Sequence, residues 1–157
     1  MAYIKKDDYT LRISLDHLDE ILEQAAATSG LSEDQIRQNA EALAIAEVRA
    51  YLVSKYKITE ELSIDSSSSA RNMLILSWVL DIALFSLHFT VNPRDIPEIR
   101  EKNYKRTIEQ LKAARDSNIV LEIGQVDPFY SRHLIGSNVN KFVSQEFTDP
   151  TLYPEES

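Results

Sequence analysis

The sequence contains no cysteine, only three glycines and only five prolines in 157 residues. Without cysteine the chain has no disulfide, no thiolate metal ligand and no cysteine nucleophile, and it suits a reducing compartment. Sheet-rich domains need many residues that form tight turns, so the shortage of glycine and proline favours helices. A chain of this length falls in the usual single-domain range. We therefore expect an all-α protein.

Positive charge is also scarce, since 17 basic residues stand against 25 acidic residues and give a net charge of −8. Proteins that grip nucleic acid normally show the opposite balance, because lysine and arginine gain affinity by displacing counterions from phosphates. The charge therefore disfavours sequence-specific DNA binding. The N-terminal sequence MAYIKKDDYT lacks the apolar region of a secretory signal, so we expect none.

The longest apolar run is MLILSWVLDIALFSLHF at residues 73–89. A membrane span needs about 20 apolar residues, and a charge at its centre costs at least a few kcal/mol. Asp81 lies in the middle of this run, and Ser77, Asp81 and His88 fall on one stripe. The pattern indicates a buried helix outside any membrane, with Asp81 paired to an arginine or lysine of another helix. So much apolar circumference also predicts that a neighbouring subunit covers part of the helix.

Helical periodicity predicts a small bundle of about four helices. Their expected positions are about 15–27, from a cap at Ser32 to about Tyr56, about 70–89, and about 95–116. Ser32 followed by Gln35 is a capping box, the strongest start signal in the chain. Residues 57–69 form a polar connection, with Ser69 as the expected cap of the third helix. Pro97 is expected in the first turn of the fourth helix.

The pattern changes after Asn118. VLEIG at 120–124 favours a short strand, and no sustained period follows it. The predicted organisation is a helical domain over residues 1–118 and a long irregular C-terminal arm over 119–157. Large apolar side chains outside a core mark interaction surfaces, so we expect the arm's aromatic residues to bind a partner. The alternative is that the arm folds back onto the helical body. These candidate partner-binding residues are Phe129, Tyr130, Phe142, Phe147 and Tyr153.

No motif for a phosphate-binding loop, a nucleophile elbow or a zinc peptidase is present. His17, His88 and His133 are far apart in the sequence and have no second ligand at helical spacing, which disfavours a metal site. An Asp81–His88 catalytic pair is the alternative to the structural reading of Asp81. We expect no catalytic, cofactor-binding or metal-binding residue, and no enzymatic activity.

Two regions of the sequence are rich in charge and are expected to face solvent. Helix one carries four carboxylates on one side, which we interpret as a solvated face: Asp16, Asp19, Glu20 and Glu23. Residues 94–115 hold seven of the basic residues, but glutamates at i±3 and i±4 are expected to neutralise most of them. A weak contact of these basic residues with phosphates or an acidic partner stays an alternative.

Three stretches of the sequence resemble, in their pattern and order, those of a known protein family. They are AEVRAYLVSKY at 46–56, the apolar helix from Arg71 to His88, and PEIREKNY at 97–104, which leads into Ile108 and Leu111. Over about residues 1–122 the chain resembles the head–tail connector proteins of tailed bacteriophages, in particular the Mu-like neck proteins. Members of that family often end soon after this point, whereas this chain continues for a further arm.

The resemblance implies a structural virion protein made in the host cytoplasm and located in the neck. It implies a homo-oligomeric ring, commonly of twelve copies, that binds the portal protein and other neck or tail proteins. Genomic DNA would pass through the acidic lumen without specific binding. The alternative is a small cellular helical adaptor or regulator that binds a protein partner through its C-terminal arm.

Overall fold

The computed structural model describes residues 2–126. They fold into one 3₁₀ helix and five α-helices, without a β-strand in that range. The elements are the 3₁₀ helix Lys6–Leu11, α1 Leu15–Ser29, α2 Glu33–Leu52, α3 Ile58–Leu62, α4 Met73–Val91 and α5 Glu98–Arg115. The predicted all-α bundle is confirmed, with four long helices.

Helix α4 is the central element and packs against α1, α2, α5 and the 3₁₀ helix. Trp78, Leu80, Leu84 and Leu87 have no exposed surface. By length and composition α4 could also cross a membrane, but 56% of its apolar window is buried inside the fold. The prediction of a buried central helix is confirmed, and its apolar character is explained by contacts on several sides.

Strong local signals placed the starts of the first two long helices correctly. The Ser32 side chain accepts the backbone N–H of Gln35, and the Gln35 side chain accepts the backbone N–H of Ser32. Gly30 ends α1 with φ +73°, a left-handed conformation that glycine adopts without steric cost. These signals depend on neighbours in sequence, so they hold whatever the rest of the chain does.

The predicted end of α2 at Tyr56 and the predicted strand at 120–124 were both wrong, for one reason. The helix ends at Leu52, and the backbone at Tyr56 forms an isolated antiparallel bridge with Gln125. The Lys57 N–H donates to the Gly124 carbonyl at 2.6 Å, and the Val126 N–H donates to the Lys55 carbonyl at 2.9 Å. This tertiary pairing ends the helix early and is too short to make a strand.

The connection at 57–69 contains a helix that the sequence analysis missed. Ile58 and Leu62, four residues apart, are both buried on the inner side of α3. Their i, i+4 spacing was the available signal, but five residues are too few for helical periodicity to stand out.

The predicted Ser69 cap of α4 was also wrong. Asn72 is the cap, and its side-chain oxygen accepts the backbone N–H groups of Leu74 and Ile75. The Asn72 N–H donates to Glu61 at 2.6 Å, and the Arg71 guanidinium binds Asp8. These distant partners hold residues 71–72 outside the helix.

Helix α5 begins at Glu98 instead of Asp95, with Pro97 as the cap instead of a first-turn residue. A proline disfavours helical geometry in the residue before it, so Ile96 cannot continue a helix into Pro97. The predicted position of Pro97 in the first turn was therefore wrong.

Candidate functional site

Asp81, the charged residue in the middle of the apolar helix, is held by a polar network. The Arg12 Nε donates to the Asp81 carboxylate at 2.8 Å, and a second Arg12 nitrogen donates to Ser77. The Thr107 hydroxyl donates to the other Asp81 oxygen at 3.4 Å. Asp81 is 3% exposed. The predicted ion pair is confirmed, and it joins the end of the 3₁₀ helix to α4 and α5.

Two more buried carboxylates fasten the N-terminal segment. Asp8 accepts two hydrogen bonds from the Arg71 guanidinium, at 2.7 and 3.1 Å. Burial acts to raise the Asp8 pKa, but the bonds from Arg71 and the Lys5 backbone N–H outweigh it and lower the pKa. The Tyr9 hydroxyl donates to Glu41, whose pKa is raised because burial outweighs its pairing with Arg37. Each of these carboxylates is hydrogen-bonded to a neighbouring side chain, so both contribute to the packing of the N-terminal segment.

The structure brings together two histidines that are distant in sequence. The rings of His17 on α1 and His88 on α4 lie 6.4 Å apart, at a depression of about 260 Å³. His88 is 9% exposed, and its Nε2 has no hydrogen-bond partner among the described residues. Three effects lower the pKa of His88: burial first, then the positive charge of Arg100, and then the neighbouring His17. The His88 ring is therefore neutral near pH 7.

This depression has little catalytic or metal-binding capacity. The described residues contain no group of three histidine or carboxylate side chains that could hold a metal ion. Asp81 is engaged by Arg12, and the structure shows no hydrogen bond between Asp81 and His88. The alternative reading, an Asp81–His88 pair, is therefore not formed in the described part of the chain. His133 lies outside the described residues.

The charged faces follow the sequence interpretation. On α1, Asp16, Glu20 and Glu23 are exposed, while Asp19 pairs with Lys6 at 2.6 Å. On α5, two predicted i, i+4 pairs are present: Lys102 with Glu98 at 2.7 Å and Lys105 with Glu101 at 3.9 Å. The carboxylate side of α1 is solvated, but within α5 glutamates match only two of the six basic residues, so the predicted neutralisation holds only in part.

An apolar groove is the most distinctive surface of the described chain. We call it the α2–α4 groove, a depression of about 210 Å³ lined by Leu43, Glu47, Ile82, Phe85, Ser86, Phe89 and Tyr104. Leu43 is 62% exposed and Phe89 is 54% exposed. Phe85 stacks on Tyr104 with ring centroids 4.2 Å apart. Large apolar side chains are thus open to solvent at the centre of one face.

A polar group at the edge fixes the shape of the groove. The Tyr104 hydroxyl donates to Glu47 at 2.9 Å, which positions the ring under Phe85. Burial and this carboxylate raise the pKa of Tyr104 to about 12, so the hydroxyl remains a donor throughout the physiological range. Glu47 leaves one negative charge beside an otherwise apolar surface.

A second depression extends the groove toward the start of α2. It measures about 110 Å³, includes Leu31, Ile36 and Thr90, and shares Leu43 and Ser86 with the first. The sequence analysis named none of these residues as a binding surface. Uncovered apolar surface was expected on the third predicted helix. Which side of that helix stays exposed depends on how α2 and α5 pack against it. The five arm aromatics that it did name, Phe129, Tyr130, Phe142, Phe147 and Tyr153, lie outside the described residues.

Comparison with known proteins supplies the remaining evidence. No curated protein and no solved structure matches the chain. A family model described as Bacteriophage Mu, Gp36 matches residues 3–128, which include every helix of the structure. The chain therefore belongs to the bacteriophage Mu Gp36 family and is a phage structural or morphogenesis protein.

Proposed function

We propose that this protein is a head–tail connector of a Mu-like phage virion. It assembles as a ring, commonly of twelve copies, beneath the portal and extends the DNA channel toward the tail. The observation that carries the proposal is the exposed α2–α4 groove on a protein of a phage structural family. Contiguous apolar surface on a folded chain marks a contact with another protein.

The exposed surface of the chain suits ring assembly. In a closed ring each subunit presents one surface to its neighbour and a different surface to the neighbour on the other side. The described chain offers one such surface, the apolar α2–α4 groove, and the surface that meets it would lie elsewhere on the next copy. The ring would also provide the neighbouring subunit that the sequence analysis expected.

The charge suits a DNA conduit. The net charge of −8 repels phosphates, so DNA can pass without being held by counterion release. The proposed role is non-enzymatic, and it fits the engagement of Asp81 and Asp8 as ion-pair partners of Arg12 and Arg71. The proposed partners are further copies of the chain, the portal protein and other neck or tail proteins.

The decisive experiment is the mass of the purified protein by native mass spectrometry, alone and with the portal protein of its own phage. Twelve subunits of 17.9 kDa make a ring of about 215 kDa. We expect a closed oligomer of about that mass, either free or on the portal. The portal alone and the portal mixed with an unrelated acidic helical protein are the controls. A monomer under both conditions would overturn the proposal.

A further inference from the structure

An exposed apolar stripe leads along α2 into the groove. Leu43, Ala46, Ala50 and Val53 follow one another at helical spacing and therefore lie on one face. All four are exposed, and no described residue covers Leu43 or Val53, which are 62% and 49% accessible. The stripe carries no charge. It joins the C-terminal end of α2 to the α2–α4 groove.

The C-terminal segment begins beside the end of this stripe. The Val126 N–H donates to the carbonyl of Lys55, three residues after α2 ends. Leu121 is buried, so the chain is fixed to the bundle just before this point. Residues 127–157 follow in the sequence and start from a known place on the surface.

The distance from that place to the groove suits the length of the segment. Leu43 lies nine residues before the end of α2 at Leu52, or about 14 Å along the helix, and the turn to Lys55 adds to this distance. Sixteen residues separate Val126 from Phe142, and a flexible chain of that length has a root-mean-square span of about 20–24 Å. When linker span and site distance agree, the local concentration of the tethered group is on the order of millimolar.

The second depression fits the next aromatic residue. Ile36 lies sixteen residues before the end of α2 at Leu52, about 24 Å along the helix axis, and the turn to Lys55 adds to this distance. Phe147 is twenty-one residues after Val126, which corresponds to a span of about 23–27 Å. The stretch VNKFVSQEF at 139–147 thus carries two phenylalanines at distances that match two adjoining depressions.

Charge supports the same placement. Lys141, next to Phe142, is one of only two lysine or arginine residues in the segment 127–157. Glu47 lies at the edge of the depression beside Leu43, so Phe142 in the groove puts Lys141 near that carboxylate. Opposite charges at the edge of an apolar contact set its register more than its strength.

We propose that residues 139–147 pack onto the α2–α4 groove of their own chain in the unassembled protein, with Phe142 beside Leu43 and Phe89. The groove is then covered before any partner arrives. The inference goes beyond the connector proposal and does not depend on it, because it concerns the free subunit.

Cross-linking tests the proposal cleanly, since the natural chain has no cysteine. The test variant carries Ala46→Cys on the stripe and Ser144→Cys in the segment, and is treated with a short bis-maleimide at low protein concentration. We expect an intramolecular link that forms at least tenfold faster than in the control variant with Glu23→Cys on α1 and Ser144→Cys. Both helix positions are exposed, so neither substitution disturbs the core.

A third variant adds Phe142→Ser to the test pair. We expect it to slow the link to the rate of the control, while circular dichroism confirms an unchanged fold. Links only between two chains would assign the groove to a second copy and overturn the proposal. Equal rates in test and control variants, or a link insensitive to Phe142→Ser, would overturn it as well. Each result is read on the subunit without portal, so it stands apart from the ring experiment.

Discussion

At the scale of single residues, Arg12 is expected to contribute strongly to stability. Its guanidinium is the one cationic partner that the structure gives to Asp81, whose side chain is 2% exposed. Removing one partner of a buried ion pair leaves the other charge desolvated and unpaired, which typically costs 3–5 kcal/mol. Because Arg12 itself is 26% exposed and water can partly replace it, we expect the lower end of that range.

Arg12→Met should therefore lower the free energy of unfolding by about 3 kcal/mol, measured by urea denaturation at pH 7. Lys6→Met is the matched control, because the Lys6–Asp19 pair lies in solvent and its loss should change little. Equal stability of the two variants would show that Asp81 finds another partner or becomes protonated.

His88 gives the fold a dependence on pH. Its pKa is lowered in the folded chain by burial, by Arg100 and by His17, so the unfolded chain binds a proton more readily. His17 and Glu20 on α1, Asp95 in the loop before α5, and Arg100 on α5 are the titratable or charged groups around it. The His88 contribution is fully present above the ordinary histidine pKa of about 6.5 and is lost as the pH falls below it.

We expect wild-type stability to fall between pH 7.5 and pH 5 by more than that of His88→Gln, which cannot take up the proton. The measurement is the unfolding free energy of both proteins by urea denaturation across that range. Parallel pH profiles for the two proteins would contradict a neutral, buried His88.

At the scale of secondary-structure elements, the start of α4 shows that tertiary contacts can override a local sequence signal. A serine run before an apolar helix favours a serine cap, but the contacts of Arg71 and Asn72 move the start three residues later. Asn72→Ala should cost about 1 kcal/mol of stability, the usual value for an N-cap. Ser69→Ala is the control and should be neutral, since Ser69 is exposed and lies outside the helix. Thermal unfolding of both variants decides between the two caps.

The same contrast explains which elements could be predicted. Helices α1 and α2 begin with signals carried by adjacent residues, and both starts were predicted correctly. The end of α2 depends on Gln125, far along the chain, and the start of α5 depends on how strictly Pro97 excludes helix before it. Sequence periodicity cannot represent a backbone pairing between distant segments.

At the scale of the whole molecule, the surfaces were harder to predict than the core. That Asp81 needs a cationic partner follows from its place in an apolar helix, and the ion pair was expected. The meeting of His17 and His88 depends on the packing of α1 against α4, and no local pattern encodes it. The α2–α4 groove has the same origin, because it is the area that α2, α4 and α5 leave uncovered.

The pairing of Val126 with Lys55 also determines how the molecule bears mechanical load. A pull on the segment after Val126 first loads the hydrogen bond to Lys55, then the bond between Lys57 and Gly124, and then the buried side chain of Leu121. Tension is thereby delivered to the turn after α2, before it can reach α5 or the central helix. The bundle can therefore stay folded while its C-terminal segment is under strain.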